Sequence, residues 1–177
     1  MGYPILKTSD FVGFFDVSQN KFTKVDLEAY ILKYEHQYLE EMLGCDLAAL
    51  LIADLDIVTN IPITQRFLDI WNSFCDDTFR CTCLFYRSTG IKDMLKSFVY
   101  FHFVRDQFQK NTIAGNVVAK SEVSTQLDYN TQQGNTNERY NNGVKTFRAI
   151  QSKVSIENTT YPEFKGWHNH KELIFFL

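Results

Sequence analysis

Large apolar side chains recur at helical spacing in the first third of this chain. Thr23 and Asp26 resemble a capping box, with Asp in place of Glu, and they open a series of apolar residues three or four positions apart: Leu27, Ile31, Tyr34, Tyr38 and Met42. Side chains at this spacing share one face of an α-helix. The pattern therefore predicts a helix over about residues 24–43.

The same periodicity, together with residues that begin or end helices, predicts four more helices. Gly44 favours the left-handed conformation that ends a helix, and Asp46 is a suitable cap for the next one. Pro62 and Gly90 interrupt the pattern further along. Residues 98–104 are apolar on almost every side, so their helix is expected at the centre of the core. The predicted ranges are about 46–56, 64–75, 90–110 and 137–154.

Segments without this periodicity complete the expected organisation. Residues 1–22 predict an irregular N-terminal arm, because Pro, Gly and polar turn residues separate its aromatic side chains. For residues 78–87 the sequence is consistent with either a short strand or a loop. Residues 111–136 are rich in Asn, Gln, Thr, Ser and Gly and predict a long polar loop within a helical domain at 23–155, and residues 156–177 predict a tail. The expected fold class is mainly α: a small helical bundle with an N-terminal arm, a long polar loop and an extended C-terminal tail.

The composition fits one domain with a surplus of aromatic surface. The chain has 177 residues, of which 45% are hydrophobic, and it includes 16 Phe and 9 Tyr. We expect part of this aromatic surface to be buried against partner chains. The interface candidates are aromatic and apolar residues of the arm and the tail: Phe11, Phe14, Phe15, Tyr161, Phe164, Trp167, Phe175, Phe176 and Leu177. On this interpretation, removal of residues 161–177 leaves a folded monomer that no longer assembles.

The net charge of the chain argues against a surface that binds nucleic acid. The formal net charge is −3, and no basic stripe is visible in the sequence. Recognition of duplex phosphates needs concentrated Lys and Arg to displace counterions. The strongly apolar stretches are far shorter than the roughly 20 residues that span a bilayer, so we also expect no membrane partner.

Cysteine and histidine clusters are the main candidates for a metal site. Cys81 and Cys83 are separated by one residue, whereas the paired cysteines of zinc sites usually leave two to four between them. His168 and His170 fall on one side of an extended strand, with Glu172 as the nearby carboxylate. These patterns do not make a ligand set, so we expect no metal, no cofactor and reduced thiols.

The sequence carries none of the familiar catalytic motifs. A Gly-rich phosphate loop, a Ser nucleophile elbow, a paired-His helix and a thioredoxin-like cysteine pair are all missing. We therefore expect a protein that binds other chains and is not an enzyme. Two alternatives stay open. One is a helical regulatory or nucleic-acid-associated protein that uses the helix-turn-helix around Gly44; the other is a hydrolase that uses His36 or His102 with a carboxylate, for which the neighbours in sequence are Glu35, Glu40 and Asp106.

Several short stretches together give the chain a resemblance to a known family. They are, in order, Tyr34-Glu35 and Tyr38-Leu39 in the first helix, the Leu43-Gly44 junction with Leu47 behind it, and Phe98-Val99-Tyr100-Phe101 leading through Arg105-Asp106 to Thr112 and Gly115. In this order, after an N-terminal arm, they resemble the head-to-tail connector (adaptor) proteins of tailed bacteriophages, in particular those of Bacteroidetes-infecting and crAss-like phages. The resemblance covers most of residues 5–125.

This resemblance implies a structural virion protein. In that family a small helical bundle forms a twelve-fold ring under the portal protein, continues the DNA channel and offers a platform to tail or collar proteins. The implied partners are the portal protein, neighbouring copies of the chain, and tail or collar proteins, while DNA passes through the channel without specific binding. The subunit would be made in the host cytoplasm and would lie at the head-to-tail interface of the virion. The family's C-terminal segment commonly reaches along the portal, a role that would fall here to residues 161–177.

Overall fold

The computed structural model describes residues 5–17, 21–76, 86–108, 110–112, 115–117, 129–166 and 168–173. Within these ranges the helices are α1 (Lys21–Leu43), α2 (Cys45–Ala53), α3 (Gln65–Trp71), α4 (Ile91–Phe108) and α5 (Tyr129–Ile156). Short 3-10 turns lie at Thr8–Asp10 and Gly13–Phe15. Strand β1 (Phe74–Asp76) pairs antiparallel with β2 (Tyr86–Ser88), and β3 (Lys110–Thr112) pairs antiparallel with β4 (Gly115–Val117). The expected fold class, a mainly α small helical bundle, is confirmed.

The observed bounds differ from the expected ones mainly at α3 and α5. Helix α3 ends at Trp71, because Asn72 adopts an extended backbone that leads into β1, so the expected end near residue 75 was wrong. Helix α5 begins at Tyr129. Residues 129–136, which were expected in the polar loop, are therefore helical, and two short ribbons accompany the bundle.

The first half of α5 carries small and polar side chains at positions where α5 runs close to α4. Thr136 and Asn137 are buried, although Thr136 was expected in the polar loop. At Gly143 a Cβ atom would lie 2.9 Å from the Cβ of Ser97 and 3.3 Å from a ring carbon of Phe98. Glycine at this position therefore permits the close approach of the two helices.

Helix α4 is the centre of the core, as the sequence predicted. It packs against α1 on one side and α5 on another. Its buried side chains are almost continuous along its length: Ile91, Met94, Leu95, Phe98, Val99, Tyr100 and Phe103. The helices, the arm and the start of the tail share this one hydrophobic core.

The N-terminal arm packs on its own chain. The arm's backbone is held by the buried carboxylate of Glu35 in α1, which accepts the N–H of Ile5 at 2.8 Å and the N–H of Leu6 at 2.7 Å. Phe11 is fully buried and Phe15 is 8% exposed. The expectation that these two rings are surface anchors for a partner is therefore corrected: they complete the core of the monomer.

The described part of the tail also packs on the bundle. Tyr161 is fully buried, and its hydroxyl donates a hydrogen bond to the backbone carbonyl of Arg66 in α3. Further along, Asn141 of α5 bonds both backbone groups of Leu173, at 2.8 and 2.9 Å. Removal of residues 161–177 would open the core at Tyr161, so the expectation that this truncation leaves a folded monomer is withdrawn.

The close contact between α4 and α5 gives a stability prediction with a control in the same helix. We expect Gly143→Ala to lower the free energy of unfolding by about 1–2 kcal/mol, because overpacking against Ser97 outweighs the better helix propensity of Ala. Gly134→Ala, where a Cβ meets nothing within 4 Å, should instead raise it by roughly 0.5–1 kcal/mol. Urea unfolding of both variants tests this, and an equal effect at the two positions would contradict the packing at Gly143.

Candidate functional site

The most exposed large hydrophobic side chains in the described residues lie in the loop between α2 and α3, residues 54–64. Ile57 and Val58 are each 81% exposed and Ile63 is 69% exposed. Ile61 adds a fourth exposed aliphatic side chain, and Leu50 on α2 is exposed nearby in the sequence. Scattered exposed apolar residues are normal, but several in one short loop mark a candidate interaction surface.

Two aspartates at the start of this loop hold its backbone in place. The Asp56 carboxylate accepts the backbone N–H groups of Val58 at 3.0 Å and Thr59 at 2.8 Å, and it also accepts the Thr59 hydroxyl. The Asp54 carboxylate accepts the backbone N–H groups of Ile63 at 3.0 Å and Thr64 at 2.8 Å, together with the Thr64 hydroxyl. Both carboxylates therefore bind backbone groups of the loop.

Backbone contacts close the loop into a small hairpin. Leu55 and Pro62 form an isolated antiparallel bridge. The N–H of Asp56 donates to the carbonyl of Ile61 at 3.0 Å, and the N–H of Ile63 donates to the carbonyl of Asp54 at 3.1 Å. Asn60 turns the chain with a φ of 55°, a conformation that Asn tolerates better than most residues. The loop is therefore a fixed scaffold.

These hydrogen bonds also change the acidity of the two carboxyls. The pKa of Asp56 is lowered, first by the hydrogen bonds from the Thr59 backbone and side chain and then by that from Val58. Desolvation would raise the pKa of Asp54, but the hydrogen bonds from Thr64 and Ile63 outweigh it and lower the value. Both groups are therefore charged at neutral pH and remain acceptors for the loop backbone.

Chemically, the loop offers a preformed apolar contact surface. Its backbone N–H groups at Val58, Thr59, Ile63 and Thr64 are engaged within the loop. A partner would therefore meet mostly aliphatic side chains. Because the loop is already ordered, binding costs little additional conformational entropy. The contact chemistry suits an apolar groove or an apolar chain segment on another protein.

Most of the described interface candidates lie in or against the core, and one lies on the surface. Phe11, Phe15 and Tyr161 lie in the core, and Phe164 is partly buried against it. Phe14 is 56% exposed, with the Arg139 guanidinium 4.6 Å from its ring centre. The remaining candidates lie outside the described residues: Trp167, Phe175, Phe176 and Leu177.

Sequence reasoning missed the 54–64 loop as a site. The pattern around Pro62 predicts only a turn that separates two helices. A signal was nevertheless present, because Ile57, Val58, Ile61 and Ile63 lie between strong turn-forming residues, where polar side chains are usual. What the sequence does not reveal is that these aliphatic side chains face solvent together.

His102, a candidate base for the hydrolase alternative, lies among aromatic rings. Its ring stacks on Tyr34 at 3.9 Å with an interplanar angle of 5°, and its Nε2 lies 2.7 Å from the Tyr38 hydroxyl. Its Nδ1 is buried without a hydrogen-bond partner in the described part of the chain. Burial, followed by the nearby charge of Arg105, lowers the pKa of His102 to about 4.

The carboxylates proposed as partners of this histidine have other roles. Glu35 holds the backbone of the arm, and burial raises the pKa of its carboxyl despite the two backbone hydrogen bonds. Asp106 accepts hydrogen bonds from the Tyr30 hydroxyl and the Arg105 guanidinium, each at 2.9 Å. The geometry therefore favours a structural role for His102 in the α1–α4 contact.

An acidic cleft of about 300 Å³ lies between the α1–α2 junction and the tail. Several of its carboxylates have partners: Asp46 pairs with Lys165 at 2.5 Å, Glu163 pairs with Arg66 at 3.3 Å, and Glu41 lies 2.8 Å from the His170 ring nitrogen. Among the residues that the structure describes, no group of three or more His, Cys, Asp or Glu side chains is arranged to hold a metal ion. Cys81 and Cys83 lie outside those residues.

The nucleic-acid alternative depends on the helix-turn-helix at Gly44, and that turn is present. Gly44 has a φ of 79° between α1 and α2. Helix α2, which would be the recognition helix, contains no Lys or Arg and exposes Asp46 at its start. An acidic helix N-terminus repels phosphate, so this turn is poorly suited to contact DNA.

Comparisons with protein-family models, with curated proteins and with solved structures returned no match. Separately, none of the helices in the described ranges has the length and apolar character needed to cross a membrane. The functional interpretation therefore depends on the geometry of the chain itself, and the 54–64 loop is its best-defined candidate site.

The hydrogen bonds of Asp56 predict how the loop keeps its shape. We expect Asp56→Ala to release the Val58 and Thr59 backbone, so that 15N order parameters in the loop fall from about 0.85 towards about 0.6. Asp56→Asn keeps one acceptor oxygen and should preserve most of the order. Unchanged relaxation in the Ala variant would show that the aspartate does not hold the loop.

The buried imidazole predicts a pH dependence of folding. An unfolded His titrates near about 6.5, whereas the pKa of His102 is lowered to about 4 in the fold. The unfolded chain therefore binds the proton first, and the stability contributed by neutral His102 is complete above that unfolded value and decreases as the pH falls from it towards the folded pKa. NMR titration of the ring should give a midpoint near 4, and His102→Phe should remove this part of the pH dependence in urea unfolding. A midpoint near the ordinary value would contradict the buried position.

Proposed function

We propose that this chain is a structural assembly protein, a head-to-tail adaptor subunit that forms a ring under a phage portal and links it to tail or collar proteins. The single observation that carries the binding part of this proposal is the rigid 54–64 loop with its exposed aliphatic side chains. The assignment to a phage adaptor draws on the order of short stretches that resembles that family. The mainly helical fold is compatible with both.

The energetics of the loop support a docking role. Moving one fully exposed Val or Ile side chain out of water contributes about 1.5–3 kcal/mol. Ile57 and Val58, the most exposed of the group, lie next to each other at the tip. Their burial against a partner would supply a contact of useful strength, and the loop need not reorganise to make it.

The charge of the chain suits the proposed position beside a DNA channel. Its net charge is −3, and several exposed carboxylates lie around the α1–α2 junction. A surface of this sign does not retain a sliding polyanion. Protein partners, which can present apolar surface, are therefore favoured over nucleic acid as the ligands of the loop.

Sedimentation velocity of the chain, alone and mixed with the portal protein of the same phage, tests the proposal. We expect a large complex in the mixture. Ile57→Gln combined with Val58→Gln should weaken its formation by about 100-fold, since two aliphatic contacts are lost. The matched control is Val25→Gln with Leu32→Gln on α1, whose side chains are 60% and 61% exposed and lie outside the loop.

The outcomes separate the two parts of the proposal. A mixture that stays small at every concentration would overturn the adaptor assignment. A complex that forms equally well with the loop variant and with the control variant would show that another surface makes the contact. Both variants change exposed side chains only, so their free energy of unfolding should match that of the wild type within about 0.5 kcal/mol.

A further inference from the structure

We propose that the apolar loop of one copy is covered by residues 174–177 of the next copy, so that the subunits associate head to tail. This inference rests on the proposed ring function and names the partner of the same site. The segment has the sequence Ile174-Phe175-Phe176-Leu177, four consecutive large apolar residues. Its side chains would supply the apolar contacts that the exposed side chains of Ile57, Val58 and their neighbours do not make in the monomer.

The 54–64 loop lies close to the point where the tail leaves α5. The loop leads directly into α3, where Arg66 hydrogen-bonds the carbonyl of Thr160 at 3.2 Å and pairs with Glu163 at 3.3 Å. These contacts lie just beyond the end of α5 at Ile156. The loop is therefore at the C-terminal end of α5.

The tail then runs back along α5, away from the loop. Arg148 contacts the carbonyl of His170 at 2.7 Å and the carboxylate of Glu172 at 3.0 Å. About two turns nearer the start of α5, Asn141 bonds both backbone groups of Leu173. Residues 174–177 therefore follow a point that is fixed near the middle of α5.

The rise of α5 separates Leu173, which is held at Asn141, from the loop of the same copy. From Asn141 to Ile156 the helix rises about 22 Å, at about 1.5 Å per residue. Four fully extended residues span at most about 14 Å. Residues 174–177 therefore cover a 54–64 loop only when that loop belongs to another copy.

The symmetry of such a contact matches a ring. The donor segment and the acceptor loop are different surfaces on the same subunit, so the interface is heterologous and each copy can donate once and accept once. Interfaces of this type close into rings when the rotation between subunits allows it.

The size of the contact sets the expected strength. Four residues bury much less than the roughly 1,200–2,000 Å² of a standard interface, so two isolated copies should associate weakly. A closed ring multiplies the contact, because every subunit is then held at two sites. We therefore expect concentration-dependent association in solution and firm assembly only in the ring.

NMR of the 15N-labelled full chain measures this weak contact residue by residue. On dilution from about 1 mM to about 20 μM, the amide signals of Ile57, Val58 and Ile63 should shift, while those of Val25 and Leu32 stay fixed. Phe175→Ser combined with Phe176→Ser should abolish the shifts. Dilution shifts that persist in this tail variant, or that spare the loop, would overturn the proposal.

Mixing two complementary variants tests the head-to-tail arrangement. The tail variant Phe175→Ser/Phe176→Ser keeps an intact loop, and the loop variant Ile57→Gln/Val58→Gln keeps an intact tail segment. Each alone should be monomeric, whereas the mixture should give a dimer with one competent contact and should go no further. Shifts in the labelled tail variant on addition of the unlabelled loop variant must fall on its loop; their absence would contradict the proposal.

Failure here is distinguishable from failure of the adaptor assignment. If the portal complex forms but the dilution shifts are absent, the loop contacts the portal or another protein and this inference is wrong while the adaptor role stands. If the shifts appear but no portal complex forms, the head-to-tail contact stands and the phage assignment is wrong. The tail variant's retained or lost portal binding then shows whether the segment also serves that partner.

Discussion

Helix α4 is apolar around most of its circumference, and the rest of the chain is arranged to keep water away from it. Helices α1 and α5 cover two of its sides. The arm covers another region through Phe15, whose ring meets Tyr100 edge to face at 5.9 Å, and the tail brings His170 to 5.9 Å from Phe98. Two segments outside the bundle helices are therefore needed to complete a helical core.

The irregular arm and tail cover the core, but their backbone N–H and C=O groups have no helix or sheet hydrogen bonds. These groups therefore need other hydrogen-bond partners. Single polar side chains on the helices meet this need. Glu35 accepts two N–H groups of the arm. Asn141 accepts the N–H of Leu173 and donates to its carbonyl, and Arg148 donates to the carbonyl of His170.

The sequence allowed the helices and the central position of α4 to be predicted, because periodicity reports which side chains share a buried face. It placed the start of α5 too late, because the polar residues from Tyr129 onward are helical, and it did not indicate that Gly143 packs against Ser97. It also misplaced Phe11 and Tyr161, since aromatic residues in irregular segments look alike whether they cover their own core or another chain. That choice depends on tertiary contacts such as those of Glu35.

The aromatic residues of the core and the aliphatic residues of the loop serve different purposes, the first in folding and the second in the proposed binding. Phe11, Phe15 and Tyr161 are needed for the core, so changes there act on stability before they act on assembly. The 54–64 loop is different, because its shape depends on Asp54 and Asp56 and its exposed side chains contribute little to the core. Its four aliphatic residues are thus free to match a partner without a cost to the fold. A surface with that independence is where binding specificity can change while the bundle stays constant.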